Sequence, residues 1–291
     1  MTHPGQSSGP SGSAATTAEA SSPKGSLLAV TDVRKSYWAR RSLFGHGVEN
    51  RAIDGVSLSV RAGEILGLVG ESGCGKSTFA KVLLGLEQAD AGTMQFDGQT
   101  VFGPDMTPVP PNRRGIQMVF QDPFGSLNPR KPVGDLIAEG LRIRGGLSRS
   151  AIAQEVARHL TLVGLSGEAM SKYPHQFSGG QRQRICIARA IIMRPKLLIA
   201  DEAVSALDVS VQMQILNLLL DLRDQLGLTI MFISHDMGVI EYLCDRICVM
   251  YQGQIVEQGA TADVIDRAQH PYTAHLIAAR PRITATTGAF P

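Results

Sequence analysis

Apolar residues follow two rhythms along this chain. In some stretches they run together or alternate, as in a strand; in others they recur every three or four positions, as on one face of a helix. The runs SLLAVTDV, from Ser26, and AIDGVSLSV, from Ala52, predict strands. The segment between them, RKSYWARRSLFGHGVENR, is basic and reads as an exposed loop. GEILGLVGESGCGKSTFAKVLLGL passes from an apolar strand through a glycine-rich turn into a helix with Phe79, Val82, Leu83 and Leu86 on one side. A hairpin pattern surrounds GTMQFDGQTVF.

The middle third is helical in rhythm. VGDLIAEGLRIRG and SRSAIAQEVARHLTLVG predict helices. In the second, Ile152, Val156, Leu160 and Val163 form a stripe and Gly164 is a stop signal. From Phe177 onward helix and strand alternate: GQRQRICIARAII, then KLLIADEA, VQMQILNLLLDLRDQLG and LTIMFIS, with a late hairpin in RICVMYQGQIVEQG. This order predicts an α/β core with a mainly helical insertion between about residues 125 and 175. Residues 1–25 are rich in Ser, Gly, Ala, Pro and Thr, with no large apolar residue beyond Met1, and predict a disordered tail. One domain is expected over residues 26–280, followed by a short tail, 281–291.

Composition narrows the class. Hydrophobic residues make up 43% of the 291 and charged residues 19%, enough for a normal core. A net charge of +2 provides no global pull toward nucleic acid, and no such partner is expected. No apolar run approaches the roughly 18 residues that span a bilayer. The N-terminus lacks the basic-then-apolar pattern of a secretory signal. A cytosolic chain is expected, whose work at any membrane needs other subunits for the crossing. Cys74, Cys186, Cys244 and Cys248 are scattered and read as reduced thiols packed as small apolar groups.

The specific chemistry begins at Gly70. The run Gly70, Glu71, Ser72, Gly73, Cys74, Gly75, Lys76, Ser77, Thr78 fits G-x-x-x-x-G-K-[ST] between a predicted strand and a predicted helix. Its glycines let the backbone curl so that successive N–H groups face phosphate oxygens, and the helix start adds partial positive charge. Lys76 is placed to reach the β- and γ-phosphates and Ser77 to bind Mg²⁺. KLLIADEA puts Asp201 and Glu202 at the carboxyl end of a buried strand, where open α/β sheets bind ligands. Asp201 suits Mg²⁺, directly or through water; Glu202 suits a general base acting on water.

Further motifs follow in order: Gln121 in VFQDP, Ser178, Gly179, Gly180 and Gln181 in FSGGQ, SALD ending at Asp208, and His235 in FISHD. Together with the phosphate loop and KLLIADEA they resemble the nucleotide-binding subunits of ATP-binding cassette (ABC) transporters, over nearly all of residues 27–280. The family usually carries Leu where Phe177 stands. The resemblance implies an ABC ATPase fold: a P-loop NTPase core with a mainly parallel sheet, an N-terminal antiparallel β subdomain and a helical insertion. It implies Mg²⁺-dependent ATP hydrolysis coupled to transport. Gln121 becomes the Q-loop glutamine, near Mg²⁺ and nucleotide, and His235 the switch histidine at the γ-phosphate. An aromatic ring, Tyr37 or its neighbour Trp38, stacks on adenine. Ser178 and the amides near Gly179 and Gly180 bind ATP held on a second ABC ATPase subunit, head to tail.

The segment QMVFQDPFGSLNPRKPVGD and the late HPYTAHLI resemble the ATPases of bacterial dipeptide, oligopeptide and nickel importers. That subfamily implies polytopic permease subunits, an extracytoplasmic solute-binding protein, and a place on the cytoplasmic face of the inner membrane. Many of its members continue into a cysteine-containing extension; the residues after HPYT here hold no cysteine, so no iron–sulfur cluster is expected. A second ABC ATPase subunit is the expected dimer partner, either the same chain or a different one; the short tail suggests a different, longer subunit. The competing expectation is a soluble ABC ATPase accessory to an enzyme complex such as phosphonate breakdown.

Overall fold

The structure, a computed structural model, describes residues 25–39, 48–103 and 115–279. The expected tails lie outside the described residues, apart from Gly25. Ten strands and nine α-helices follow in order among the described residues: β1 Ser26–Ala39, β2 Val48–Arg61, β3 Ile65–Val69, α1 Lys76–Leu84, β4 Ala91–Phe96, β5 Gln99–Phe102, β6 Ile116–Val119, α2 Pro123–Ser126, α3 Val133–Arg144, α4 Arg149–Leu162, α5 Gly179–Ile191, β7 Leu197–Asp201, α6 Val209–Leu226, β8 Thr229–Ser234, α7 Met237–Leu243, β9 Arg246–Tyr251, β10 Gln254–Ala260, α8 Thr261–Asp266 and α9 Pro271–Ala278.

Two sheets form. A six-stranded sheet has the order β10-β9-β3-β8-β7-β6, parallel from β9 to β6 with β10 antiparallel at its edge. A four-stranded antiparallel sheet has the order β2-β1-β4-β5. The central strands are buried on both faces, as helix-covered parallel strands must be. Their residues still sort by period two. Leu66 and Leu68 of β3, Leu197 and Ile199 of β7, and Met231 and Ile233 of β8 join α1 and the antiparallel sheet in one core. Ile65, Val69, Leu198, Ala200, Ile230 and Phe232 face the other way, into a core shared with α3 to α7. Phe79 of α1 is fully buried in the first core; truncation to Ala would cost about 3–5 kcal/mol.

The helical stretch after β6 contains α2, α3, α4 and two short 3₁₀ turns, Gly167–Ser171 and Pro174–Gln176. The stripe Ile152, Val156, Leu160, Val163 is buried, and Gly164 adopts φ 74° just past α4.

Three sequence expectations are corrected. The basic segment after Val33 is not simply a loop: β1 continues through Ala39 and β2 begins at Val48, paired antiparallel to the ends. Alternating Arg34, Ser36 and Trp38 carried no apolar period, but cross-strand hydrogen bonds extend the ribbon. Leu86 does not share the α1 stripe. Gly85 ends the helix at φ 74° and leaves Leu86 58% exposed. Strand β6 and helices α7 and α8, which the apolar pattern did not single out, are short and are stabilised by neighbours rather than by their own periodicity.

Candidate active site

β3 delivers the chain to the phosphate loop, and the loop closes on its own lysine. Lys76 Nζ donates to Gly70 O at 2.6 Å and to Glu71 O at 2.8 Å, with Cys74 Sγ at 3.7 Å. Lys76 is 5% exposed. Gly73 and Gly75 sit at φ 85° and 113°, where any Cβ is strained. At Gly75 a Cβ would also overlap the Ala52 carbonyl, and at Gly70 the Met250 carbonyl. Those two glycines are set by close backbone packing, whereas Gly73 faces open space.

A cleft of about 530 Å³ lies over the loop. Ser72, Gly73, Cys74, Gly75, Lys76, Ser77 and Thr78 floor it; Tyr37, Gln121 and Glu202 wall it. Tyr37 lines the cleft and Trp38, 70% exposed, does not. Lys35 Nζ lies 5.5 Å from the Tyr37 ring centre.

Glu202 is the convergence point. It follows β7 in a left-handed conformation, φ 46°, and its amide donates to Ile233 O of β8 at 2.9 Å. Gln121, two residues beyond β6, donates from Nε2 to Glu202 Oε2 at 2.8 Å. His235, after β8, places Nδ1 3.2 Å from Glu202 Oε1. Three adjacent parallel strands thus end in one hydrogen-bonded group.

Asp201 lies one residue earlier and is 6% exposed. Burial raises its carboxyl above the usual range, and the Glu202 charge adds to this. A hydrogen bond with the Ser77 side chain and the charges of Lys76 and Lys81 oppose the rise. Its Oδ1 is buried without a hydrogen-bond partner among the described residues. An orphan carboxylate oxygen beside a serine hydroxyl fits a hard cation such as Mg²⁺, whose other ligands are commonly phosphate and water. Among the described residues no group of three His, Cys, Asp or Glu side chains is arranged to hold a metal by itself.

Ser178 starts α5 and caps it. Its Oγ accepts from Gln181 N at 3.3 Å, and Gln181 Oε1 accepts from Ser178 N at 3.0 Å. Gly180 packs against Val211 of α6 so closely that a Cβ would overlap the Val211 Cγ1 methyl. Ser178 and Asp208 are exposed, and neither they nor Gly179, Gly180 and Gln181 line the cleft.

The four cysteines are free and buried. Burial pushes Cys186 and Cys248 up to about 12 and Cys244 further, so these three stay thiols.

A profile of the family described as "ABC transporter" matches residues 53–205, and "Dipeptide transport ATP-binding protein DppF" of Haemophilus influenzae is 44% identical over 258 residues, covering 89% of this chain and 79% of that protein. The chain belongs to the ABC transporter family. The "Glutathione import ATP-binding protein GsiA" of Salmonella paratyphi A is 52% identical over 256 residues, 88% of this chain and 41% of that protein. A dimeric ATP-binding cassette solved in a post-hydrolysis state with ADP and Pi has TM-score 0.70 and 26% identity, over 81% of this chain and 99% of that one. Family membership makes the chain an ATP-binding cassette and a transport-coupled ATPase, and the architecture above is the ABC ATPase fold. Among the described residues, no helix of this ABC subunit is long and apolar enough to cross a membrane.

Sequence reasoning missed several residues of the cleft. Asn50, Arg51 and Ala52 of β2 and Gln252 and Gly253 of the β9–β10 turn line it too. The QGQ turn of the late hairpin, Gln252 to Gln254, is the sequence signal for the last two. Gly253, φ 80°, donates its amide to Cys74 O at 2.9 Å and ties that turn to the phosphate loop.

Proposed function

We propose that this ABC subunit hydrolyses ATP to drive import of peptides or a related small solute, as one member of a head-to-tail pair. The observation that carries the reading is the convergence on Glu202: one carboxylate, held from β6 and β8, beside a cleft floored by the phosphate loop. In this reading Lys76 exchanges the carbonyls of Gly70 and Glu71 for phosphate oxygens. The amides from Glu71 to Thr78 and the start of α1 cradle the triphosphate. Ser77 and Asp201, with Gln121, hold Mg²⁺, which when bound neutralises phosphate charge. Glu202 takes the proton of the attacking water, and His235 orients Glu202 and meets the γ-phosphate. Tyr37 stacks on adenine.

Ser178, Gly179, Gly180, Gln181 and Asp208 serve the nucleotide of the opposite subunit. The exposure of Ser178, Gln181 and Asp208 in the single chain, and the separation of all five from its own cleft, support that assignment. ATP then acts as adhesive between two positive half-sites, and loss of the γ-phosphate loosens the pair.

Leu84, Leu86, Phe120 and Arg189 line a groove of about 240 Å³ one residue from Gln121. We assign this groove to a short helix of the permease subunits, which places the chain at the cytoplasmic face of the inner membrane. An extracytoplasmic solute-binding protein completes the importer. The relatives named as transport proteins support this over an accessory role in an enzyme complex.

Purification of the intact complex tests the reading. Permease subunits should co-purify, and phosphate release should rise when solute and its binding protein are added. A stable complex with soluble enzymes alone, or bound ATP with no turnover, would overturn it.

A further inference from the structure

The phosphate loop is gripped from outside by the last part of the chain. Glu71 N donates to Tyr272 Oη at 2.9 Å, 201 residues further along. Three residues after Glu71, Cys74 O accepts from Gly253 N at 2.9 Å. The tyrosine comes from α9 and the glycine from the β9–β10 turn, and the two grips are linked. The Tyr272 ring packs on Tyr251 with centroids 4.2 Å apart and planes tilted by 37°. Gln252 Nε2 donates to Tyr251 Oη at 3.2 Å. The start of α9 is itself anchored to β10: Glu257 accepts from the amides of Gln269 at 2.9 Å and His270 at 3.1 Å. His270 Nδ1 then caps the helix, accepting from Tyr272 N at 3.2 Å.

We propose that Tyr272 is a positioning residue of the nucleotide site, its hydroxyl fixing the Glu71 peptide and so the entry of the phosphate loop. The proposal rests on reading the cleft as the ATP site. A loop with glycines at 70, 73 and 75 has many backbone states to lose when it closes on phosphate. A peptide already held lowers that ordering cost, and the gain appears as affinity. Glu71 is exposed, so without Tyr272 its amide turns to water instead. Burial raises the Tyr272 phenol above its usual range, against the pull of the Glu71 amide, and the group is a neutral hydroxyl at pH 7. Among the described residues, Lys76, Gln121, Glu202 and His235 make no hydrogen bond to Tyr272, so the effect falls on binding rather than on the chemical step.

The test uses the full-length chain with Tyr272→Phe, which keeps the ring on Tyr251 and removes the acceptor. Hydrogen exchange at Glu71 and its neighbours should quicken at least fivefold without nucleotide and return to the parent rate at saturating ATP. The Kd for a fluorescent ATP analogue should rise about three- to tenfold, the size of one hydrogen bond. The melting temperature should stay at the parent value. Glu257→Ala frees the start of α9 without altering either tyrosine and should shift exchange and Kd in the same direction. Parent-like exchange at Glu71 in Tyr272→Phe overturns the proposal, whatever the affinity. If the parent chain fails to bind the ATP analogue, the nucleotide reading fails instead, and the exchange arm still judges Tyr272.

Discussion

Gln121 Nε2 donates to Glu202 Oε2 at 2.8 Å across 81 residues of sequence. The glutamine opens the helical stretch, whereas the glutamate directly follows β7, the strand next to β6. Their bond therefore joins the segment after β6 to the carboxylate that faces the cleft.

Glu202→Gln separates holding from proton transfer. The amide still accepts a hydrogen bond from Gln121 but cannot take a proton from water. Turnover should fall by about 10²–10⁴, the usual range for a lost general base. ATP affinity should stay within about threefold, less than 1 kcal/mol, and the ATP-bound dimer should persist on size-exclusion chromatography. Turnover near the parent level would remove Glu202 from the role of base.

Ser178→Arg tests whether the half-site works in trans. It removes the α5 cap and costs about 1 kcal/mol of stability. The isolated chain should bind nucleotide as before, because Ser178 does not line its own cleft. Phosphate release by the assembled complex should be abolished. Loss of nucleotide binding in the isolated chain would place Ser178 in the wrong site.

Gly180 and Val211 are coupled by contact. Gly180→Ala should destabilise the chain by about 1–3 kcal/mol through overpacking. Val211→Ala removes the opposing methyl groups, so the double variant should recover part of that loss. Urea denaturation of the four proteins measures the coupling. Strict additivity would mean that the helix start moves freely away from α6.

Asp201 predicts a pH signature. Its folded-state pKa is raised, chiefly by burial. The folded chain therefore binds this proton more tightly than the unfolded one. Its contribution to stability falls as pH rises from the ordinary aspartate range through the raised value, and the cost is full above it. Asp201→Asn should flatten that decline in the nucleotide-free chain. It should also remove the Mg²⁺-dependent part of ATP binding, read by titrating fluorescent nucleotide with and without the metal. An unchanged Mg²⁺ response would exclude Asp201 from the metal site.

Local chemistry makes much of the candidate site legible in the sequence. Gly70 to Thr78 needs its glycines wherever it stands, because a curled backbone demands them. The apolar runs at Leu197 and Thr229 could only be buried strands, so Asp201, Glu202 and His235 had to emerge at strand ends. Periodicity failed where stability comes from neighbours. The outer part of β1, with Lys35 bonded to Asp90, shows no apolar rhythm and is held by cross-strand partners. Leu86 matched the helical period, but a left-handed Gly85 had already ended the helix.

The residue types, the motif order and the two periodicities were determined by sequence alone, since each depends on groups within one turn or one strand. Which distant groups meet was decided only by the tertiary structure. The bond of Gln121 to Glu202, the overlap limit between Gly180 and Val211, and the reach of Tyr272 to Glu71 all follow from strand order and helix packing. Such contacts leave no periodic trace, because the separation between partners is set by the path of the chain through two sheets rather than by any local repeat.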